Sequence, residues 1–310
     1  MNNSQAPSAK QWYLFSGWVV LSLLLFLRPV FALVRLSLSQ DDSSYLVVIP
    51  FMSAVLLYLE RERIPAQGSS NSRLSGIFLL LAGSIAVAVH FGAGSKVAGL
   101  QLSGWILALA LVWIAGFALL FGKDALRASY FPFLFLFLMV PLPNFLLDRI
   151  IFLLQQGSAW ITGVLFDIAG VPALREGLVF HLAKVSIEVA KECSGIRSSM
   201  ALFIVALLVA HFRLRHFWNK VLFVAFGLFL MILKNGVRIA TLTLLAVYVN
   251  PDFLFGRLHH QGGVVFFVLA LLLLLPLLFF LQRNEAKKAV VAGGGTSGGK
   301  SIREASQDYD

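Results

Sequence analysis

Residues 263–281 read GVVFFVLALLLLLPLLFFL, nineteen consecutive positions without a charged or amide side chain. A helix needs about 20 such residues to cross the hydrocarbon core of a bilayer, which is about 30 Å thick. This stretch is therefore predicted to span a membrane. Seven further apolar runs precede it, at 12–36, 44–59, 74–91, 102–121, 128–142, 198–212 and 221–249. The sequence predicts an all-α polytopic membrane protein with about eight transmembrane helices.

The composition supports this fold class and excludes several others. Hydrophobic residues make up 59% of the 310 residues and charged residues only 13%, whereas a soluble domain carries roughly 45–50% and roughly 25%. A chain this apolar cannot be a soluble globular enzyme or a disordered regulator, and it has no segment polar enough to form a basic nucleic-acid-binding face. Cys193 is the one cysteine, which excludes an intrachain disulfide and any cysteine-rich metal site.

Basic residues cluster in the segments that are predicted to face the cytoplasm, which hold 14 of the 25 Lys and Arg residues. These segments are the N-terminus, the loops at 60–73, 122–127 and 213–220, and the C-terminal tail. The outer loops at 37–43 and 92–101 hold only Lys96. By the positive-inside rule both termini are cytoplasmic. Residues 1–288 would form one transmembrane domain, and the Gly- and Ser-rich residues 289–310 a disordered cytoplasmic tail.

Residues 143–197 are predicted to form a small extracytoplasmic cap before the sixth helix. Within the cap, 145–168 intersperses apolar residues with charged and amide side chains, which is typical of an amphipathic helix lying at the interface. Residues 178–190, LVFHLAKVSIEVA, are rich in β-branched residues with partial alternation. This pattern predicts a short β-hairpin that turns near 183–184.

The hairpin leads directly into ECSGIR at 192–197, where the sixth helix is predicted to begin. Unpaired N–H groups and the helix dipole at such a position favour the reactive thiolate of Cys193. Arg197, about one turn on, would add positive charge, and Ser194 and Gly195 are candidates for supporting roles. The alternative is that the lone cysteine is a small buried apolar side chain. The outer-face position favours function, because an unpaired thiol is a liability in an oxidising compartment.

Arg238 lies inside the predicted span 221–249, where an ionisable side chain is costly and marks a candidate functional site. It lies 18 residues after Lys220, or about 27 Å along a helix, close to the outer boundary. Asn235, one turn earlier, could orient Arg238 or form a hydrogen bond across helices. The alternative is that Lys234 and Arg238 extend to the outer headgroups. Lys234 itself is expected to serve the fold or to contact lipid.

His259 and His260 immediately precede the last predicted helix, also on the outer side. A neutral imidazole can take and return a proton near pH 7, although an exposed loop histidine is commonly inert. The predicted topology thus brings a thiol, a cation and an imidazole to one membrane face. A nucleophile, an oxyanion stabiliser and a general base are the groups that acyl transfer at a peptide carbonyl requires.

The chain resembles an exosortase, the bacterial branch of the exosortase/archaeosortase family of eight-helix membrane transpeptidases. The resemblance extends from about residue 131 to residue 267. It rests on VAKECSGIRSS at 189–199, NGVRI at 235–239 and HHQGGVVFF at 259–267. The Cys-Ser-Gly-Ile-Arg, Asn-x-x-Arg and His-x-x-x-Gly elements are specific when they occur in this order.

The resemblance implies a cysteine protease or transpeptidase whose catalytic residues are Cys193, Arg238 and one of the paired histidines. The spacing to Gly263 favours His259, with His260 as the alternative. The substrates would carry a C-terminal Pro-Glu-Pro (PEP-CTERM-type) motif, one transmembrane helix and a basic cluster. Cleavage would occur at the outer face of a Gram-negative inner membrane, in protein sorting linked to exopolysaccharide export. No metal, organic cofactor or nucleic-acid partner is implied.

Three other functions remain open from the residues themselves. A membrane acyltransferase, or a component of exopolysaccharide synthesis, would use the same Cys193 thiol without processing a protein tail. A transporter would use Arg238 and Lys234 to line an anion path. A scaffold for surface-polysaccharide machinery would depend on none of these side chains.

Overall fold

The computed structural model describes residues 7–65, 72–92, 99–183, 185–189, 196–250 and 257–294. At positions 41, 196, 197, 257–263 and 289–294 it describes the backbone alone. The chain divides into two compact units, Met1–Ile150 and Ile151–Asp310. The described residues are mostly helical and include one small sheet, so the predicted all-α polytopic fold is confirmed.

The first unit contains six complete helices and the start of a seventh. They are α1 (Ala9–Leu25), α2 (Leu27–Ser39), α3 (Val48–Leu59), α4 (Ser72–Phe91), α5 (Leu100–Ala128), α6 (Tyr130–Leu136) and the beginning of α7 (Asn144–Ile168). Short 3₁₀ turns occur at Asp41–Ser43, Arg61–Arg63 and Phe137–Met139.

Helices α1 and α5 pack side by side through polar and aromatic contacts. The Gln11 Nε2 group donates to the Leu120 carbonyl oxygen at 3.0 Å, and the Trp18 indole N–H donates to that of Val112 at 2.9 Å. Gly116 lies against this indole, where a Cβ atom would come within 2.4 Å of the ring. Only glycine fits there, so the close approach of the two helices depends on it.

The predicted single helix over 12–36 is corrected to two helices, because α1 and α2 meet at an angle of 82°. Phe26, between them, has non-helical backbone angles of φ −100° and ψ 25°. Pro29 explains the break: it has no N–H to bond the carbonyl of Leu25, and its ring clashes with that carbonyl in a continuous helix.

Proline also shortens two other predicted spans, 44–59 and 128–142. Pro50 and Pro132 lie in the first turns of α3 and α6, the place where a helix tolerates proline. The two helices contact each other, since the Ser53 hydroxyl donates to the carbonyl oxygen of Pro132 at 2.7 Å. Helical structure on this second segment therefore begins at Tyr130 and ends well before residue 142.

The second unit contains the remainder of α7, a three-stranded sheet and three helices. The strands are β1 (Ala173–Glu176), β2 (Val179–Leu182) and β3 (Ser186–Glu188), and the helices are α8 (Ile196–Arg213), α9 (Phe217–Tyr248) and α10 (Arg257–Gly294). The three helices enclose a core of apolar side chains that includes Leu202, Ala206, Phe223, Leu230, Ala270 and Leu274.

The predicted hairpin over 178–190 is confirmed as β2 and β3, which pair antiparallel with Phe180 opposite Ile187. The sequence analysis missed β1, which pairs antiparallel with β2. Gly177 begins the two-residue turn between these strands at φ +63°, and a tight hairpin turn of this kind requires a positive φ there.

Helix α10 is longer at both ends than predicted. It begins at Arg257, so the backbone of His259 and His260 is helical rather than part of a loop. It ends at Gly294, so the first six residues of the predicted disordered tail are helical. Residues 295–310 of that tail lie outside the described residues.

Among the described residues, helix length alone accounts for fewer transmembrane helices than the predicted count of about eight. Five described helices are long and apolar enough to cross a membrane, or six if the bent pair α1–α2 is one span. Three predicted spans form shorter apolar helices, namely Val48–Leu59, Tyr130–Met139 and Ser198–Arg213. Helix α7, which contains the predicted interfacial segment 145–168, is among the five, so its interfacial position remains a prediction.

Candidate functional site

The candidate site is built around polar residues on α9, a helix of 32 residues and thus about 48 Å long. Lys234 and Asn235 are buried, with 8% and 2% of their surfaces exposed, and Arg238 is half-buried one turn further on. Buried polar groups need hydrogen-bond partners. The partners of Lys234 and Asn235 connect α9 to two other parts of this unit.

Asn235 connects α9 to α7. Its side-chain Nδ2 donates to the Ser158 hydroxyl at 3.0 Å. One turn along α7, the Thr162 hydroxyl lies 2.8 Å from the Ser158 carbonyl oxygen and 3.2 Å from that of Gly236. Among the described residues, nothing donates a hydrogen bond to the buried Oδ1 atom of Asn235. The amide is therefore held by its nitrogen and retains an acceptor.

Small residues allow α7 and α9 to approach closely enough for these bonds. A Cβ atom on Gly236 would lie 2.5 Å from Cγ2 and 2.6 Å from Cβ of Ile161. A Cβ atom on Gly157 would lie 2.8 Å from Cγ2 of Ile232. Glycine and serine at a helix interface commonly permit such packing in membrane proteins.

Lys234 connects α9 to the start of α8. Its Nζ donates to the Ser198 hydroxyl at 2.5 Å, and Ser198 lies in the first turn of α8. Because this ammonium group is buried and hydrogen-bonded within the protein, the alternative that Lys234 extends to lipid headgroups is wrong. The lysine instead fixes the position of the residues that follow the Cys193 segment in the chain.

The end of the sheet connects to α7. The Gln155 Nε2 group donates to the Val189 carbonyl oxygen at 2.6 Å, and the Val189 N–H donates to the carbonyl oxygen of Leu178 at 2.9 Å. Val189 also belongs to an apolar cluster with Ala159 of α7 and Ile239 of α9. The chain that leads toward Cys193 is thus anchored on α7 and α9.

Several predicted site residues cannot be positioned in the same detail. Cys193, Ser194 and Gly195 lie outside the described residues. Arg197 is in the first turn of α8, while His259 and His260 are in the first turn of α10, and the structure describes only their backbone. The distances from the thiol or either imidazole to Arg238 therefore remain untested.

Three side chains that the sequence analysis did not assign to the site help to form it. They are Gln155, Ser158 and Ser198. Ser158 and Thr162 are four residues apart and so lie on one face of α7, next to Gly157. This pattern of small residues signals a close helix contact.

Over the described parts of the chain, no three His, Cys, Asp or Glu residues are grouped as metal ligands.

Comparison with known families gives one match. A family model described as transmembrane exosortase (Exosortase_EpsH) matches residues 37–276, which covers most of the chain and every candidate site residue. No curated protein and no solved structure matches the chain.

Proposed function

The chain belongs to the transmembrane exosortase family, and on that premise we propose that it is a membrane cysteine protease or transpeptidase that cleaves C-terminal sorting tails. The tails would be of the PEP-CTERM type, with a Pro-Glu-Pro motif, one transmembrane helix and a basic cluster. Cleavage would occur at the outer face of the bacterial inner membrane. It would serve protein sorting linked to exopolysaccharide export.

In the proposed reaction the Cys193 thiolate attacks the scissile carbonyl carbon, and Arg238 stabilises the oxyanion that forms. The C–N bond then breaks, His259 protonates the leaving amine, and the acyl group remains on sulfur as a thioester. His259 next removes a proton from the acceptor, which attacks the thioester and regenerates the thiolate. Water as the acceptor gives hydrolysis, and an amine or hydroxyl gives transfer. His260 is the alternative base.

The proposal is supported by hydrogen bonds on both sides of the Cys193 segment. Val189, four residues before the cysteine, is bonded to Gln155 of α7. Ser198, five residues after it, is bonded to Lys234 of α9. Four residues of extended chain span at most about 14 Å, so chain connectivity limits how far the thiol can lie from Val189. This double anchoring is the observation that carries the proposal.

A second support is the fixed position of the helix that carries Arg238. Asn235, three residues before it, is bonded to Ser158. Ile239, the residue after it, packs in the cluster that contains Val189. A guanidinium group on a helix that is held on both sides is suited to stabilise developing charge, because little reorganisation is needed during the reaction.

The test is intact-mass analysis of a membrane protein that bears a Pro-Glu-Pro tail and comes from the same genome. It is co-expressed with the wild type or with Cys193→Ala, Arg238→Gln or His259→Ala. We expect loss of the tail with the wild type and with none of these three variants, and the product mass distinguishes hydrolysis from transfer. Arg283→Gln is the matched control for Arg238→Gln and should cleave as the wild type does, and His260→Ala tests the alternative base.

Two outcomes would contradict the proposal. If the tail remains intact with a folded wild-type enzyme, the chain is not a sorting protease, and a membrane acyltransferase that uses the same thiol becomes the better account. If the tail is lost equally with Cys193→Ala, the thiol is not the nucleophile. Activity that disappears with His260→Ala but not with His259→Ala would reassign the base and leave the rest unchanged.

A further inference from the structure

A cavity of about 680 Å³ lies where α8 ends, α9 begins and α10 passes both. Its lining includes the side chains of Arg213, Arg215, His216 and Lys288. Among the described residues, no carboxylate forms a salt bridge with the side chain of Arg213, Arg215 or Lys288. The cavity therefore has an excess of positive charge.

The one carboxylate in this lining, that of Glu285, already has its partners. Its two oxygens accept hydrogen bonds from the backbone N–H groups of Arg215 at 2.9 Å and His216 at 3.0 Å, and from the Asn219 side chain at 2.7 Å. The residue is 8% exposed. Glu285 thus caps the start of α9, and the remaining basic side chains are available to an anion from outside the protein.

An apolar groove of about 330 Å³ runs along the same three helices. Its lining includes Val209 of α8, Phe223 of α9 and Leu278 of α10. Val209 is four residues before Arg213, and Leu278 is seven before Glu285, so the groove ends one to two helical turns from the basic cavity. The basic cavity and the apolar groove therefore lie in sequence along the same three helices, and the two together are called the recess.

Exposed aromatic side chains lie at the charged end of the recess. Phe212, Phe217 and Trp218 are 51%, 69% and 76% exposed, and they flank the turn that carries Arg213 and Arg215. The amphipathic indole of tryptophan collects at the headgroup level, and basic residues collect on the cytoplasmic side, so Trp218 and the two arginines are expected at the inner interface. The predicted topology likewise assigns residues 213–220 to the cytoplasm.

We propose that this recess binds one anionic phospholipid of the inner leaflet, with its phosphate among Arg213, Arg215 and Lys288 and an acyl chain in the groove lined by Val209, Phe223 and Leu278. Basic pockets between transmembrane helices at the cytoplasmic side recognise anionic headgroups in this way. The groove supplies the second requirement, since an acyl chain gains free energy with each buried methylene. A free phosphate ion would occupy only the basic cavity.

The test is native mass spectrometry of the purified full chain titrated with phosphatidylglycerol, with phosphatidylcholine and inorganic phosphate as comparison ligands. We expect one saturable phosphatidylglycerol site. Triple substitution Arg213→Gln, Arg215→Gln and Lys288→Gln should weaken it about a hundredfold, given about 1 kcal/mol for each basic residue. Its matched control is Lys220→Gln, Arg283→Gln and Lys287→Gln, which removes the same charge near the same end without touching the lining.

A second pair of variants tests the apolar end without changing charge. Leu275→Trp should fill the groove and weaken phosphatidylglycerol binding at least about tenfold, whereas Leu273→Trp, outside the lining but equally exposed, should leave it unchanged. An equal loss of phosphatidylglycerol affinity in both triple variants would show that the effect comes from general surface charge, and it would overturn the proposal. Inorganic phosphate that binds as tightly as phosphatidylglycerol, or insensitivity to Leu275→Trp, would also overturn it.

Discussion

The contact between α7 and α9 makes a sharp prediction for Gly236→Ala. The added methyl carbon would start 2.5 Å from Cγ2 and 2.6 Å from Cβ of Ile161, and 3.0 Å from the Ser158 carbonyl oxygen. Carbon pairs are optimal at about 3.5–4.0 Å. A rotamer change can move Cγ2, but Cβ and the carbonyl are fixed to the backbone, so the helices must separate by roughly 1 Å.

This separation has an energetic and a functional consequence. Overpacking costs about 1–3 kcal/mol, and about 1 kcal/mol of it is offset because alanine favours helix over glycine. A shift of about 1 Å can lower catalytic rate about a hundredfold. We therefore expect Gly236→Ala to lose about 1 kcal/mol of unfolding free energy and about 99% of the cleavage rate.

The assay pairs Gly236→Ala with Gly83→Ala, the same substitution in α4, where no atom lies within 4 Å of the new methyl group. Both variants gain the same helix propensity, so the difference between their unfolding free energies isolates the overpacking cost. Gly83→Ala should be as stable as the wild type or more so, with full cleavage. A Gly236→Ala variant that cleaves at the wild-type rate would refute the claim that this helix contact positions the site.

Three further substitutions test other contacts. Gln155→Leu removes the hydrogen bond to Val189 and should slow tail cleavage about tenfold, with a change in unfolding free energy of about 1 kcal/mol. Its control, Gln156→Leu, loses only the hydrogen bond to Arg175 and should cleave normally. Equal effects of the two substitutions would contradict a role for the Val189 anchor. Trp18→Ala removes the indole that packs on Gly116 and should lower the unfolding free energy by about 3 kcal/mol, measured by denaturation in detergent. Trp218 is 76% exposed, so Trp218→Ala should change the unfolding free energy little. Glu285→Gln leaves one N–H group at the start of α9 without an acceptor and should lower the unfolding free energy by about 2 kcal/mol in the same assay. The control is Glu62→Gln, at an exposed position. A loss of unfolding free energy no larger than that of the control would contradict the capping role of Glu285.

The fold class could be read from the sequence because apolar runs of this length have few alternatives to spanning a membrane. The boundaries of the spans could not be read from the sequence in the same way, and proline is the main reason. Pro29, Pro50 and Pro132 barely lower the hydropathy of their segments, yet each determines where a helix can begin or continue. Reading hydropathy without this backbone constraint turned the bent pair α1–α2 into one continuous helix.

The β-hairpin was predictable because 178–190 is rich in β-branched residues with partial alternation, whereas the first strand was not. ALRE at 173–176 has no β-branched residue and only partial alternation, so its pairing with β2 depends on the turn at Gly177 rather than on strand propensity. The turn glycine was the available signal.

The buried polar residues of α9 could be singled out from the sequence, whereas the side chains that hydrogen-bond to them could not. Arg238 and Asn235 stand out because polar side chains inside an apolar run are costly. Ser158 and Ser198 do not stand out, because small hydroxyl residues are common in membrane helices. Their role can be recognised only when their hydrogen-bond partners are known. The partner of Lys234 could not be identified for a related reason: its hydrogen bond joins residues 36 positions apart, which no local pattern reveals.

The measurement that tests the central claim most directly is the mass of the enzyme itself after it meets a tail-bearing substrate. Cys193 is the one cysteine in the chain, so a hydroxylamine-sensitive acyl adduct can form at a single thiol. We expect the substrate's acyl fragment on the peptide that contains Cys193 when the wild-type reaction is stopped with acid during turnover, and no adduct on the Cys193→Ala variant. Cleaved substrate without any adduct at Cys193 in these samples would contradict the account.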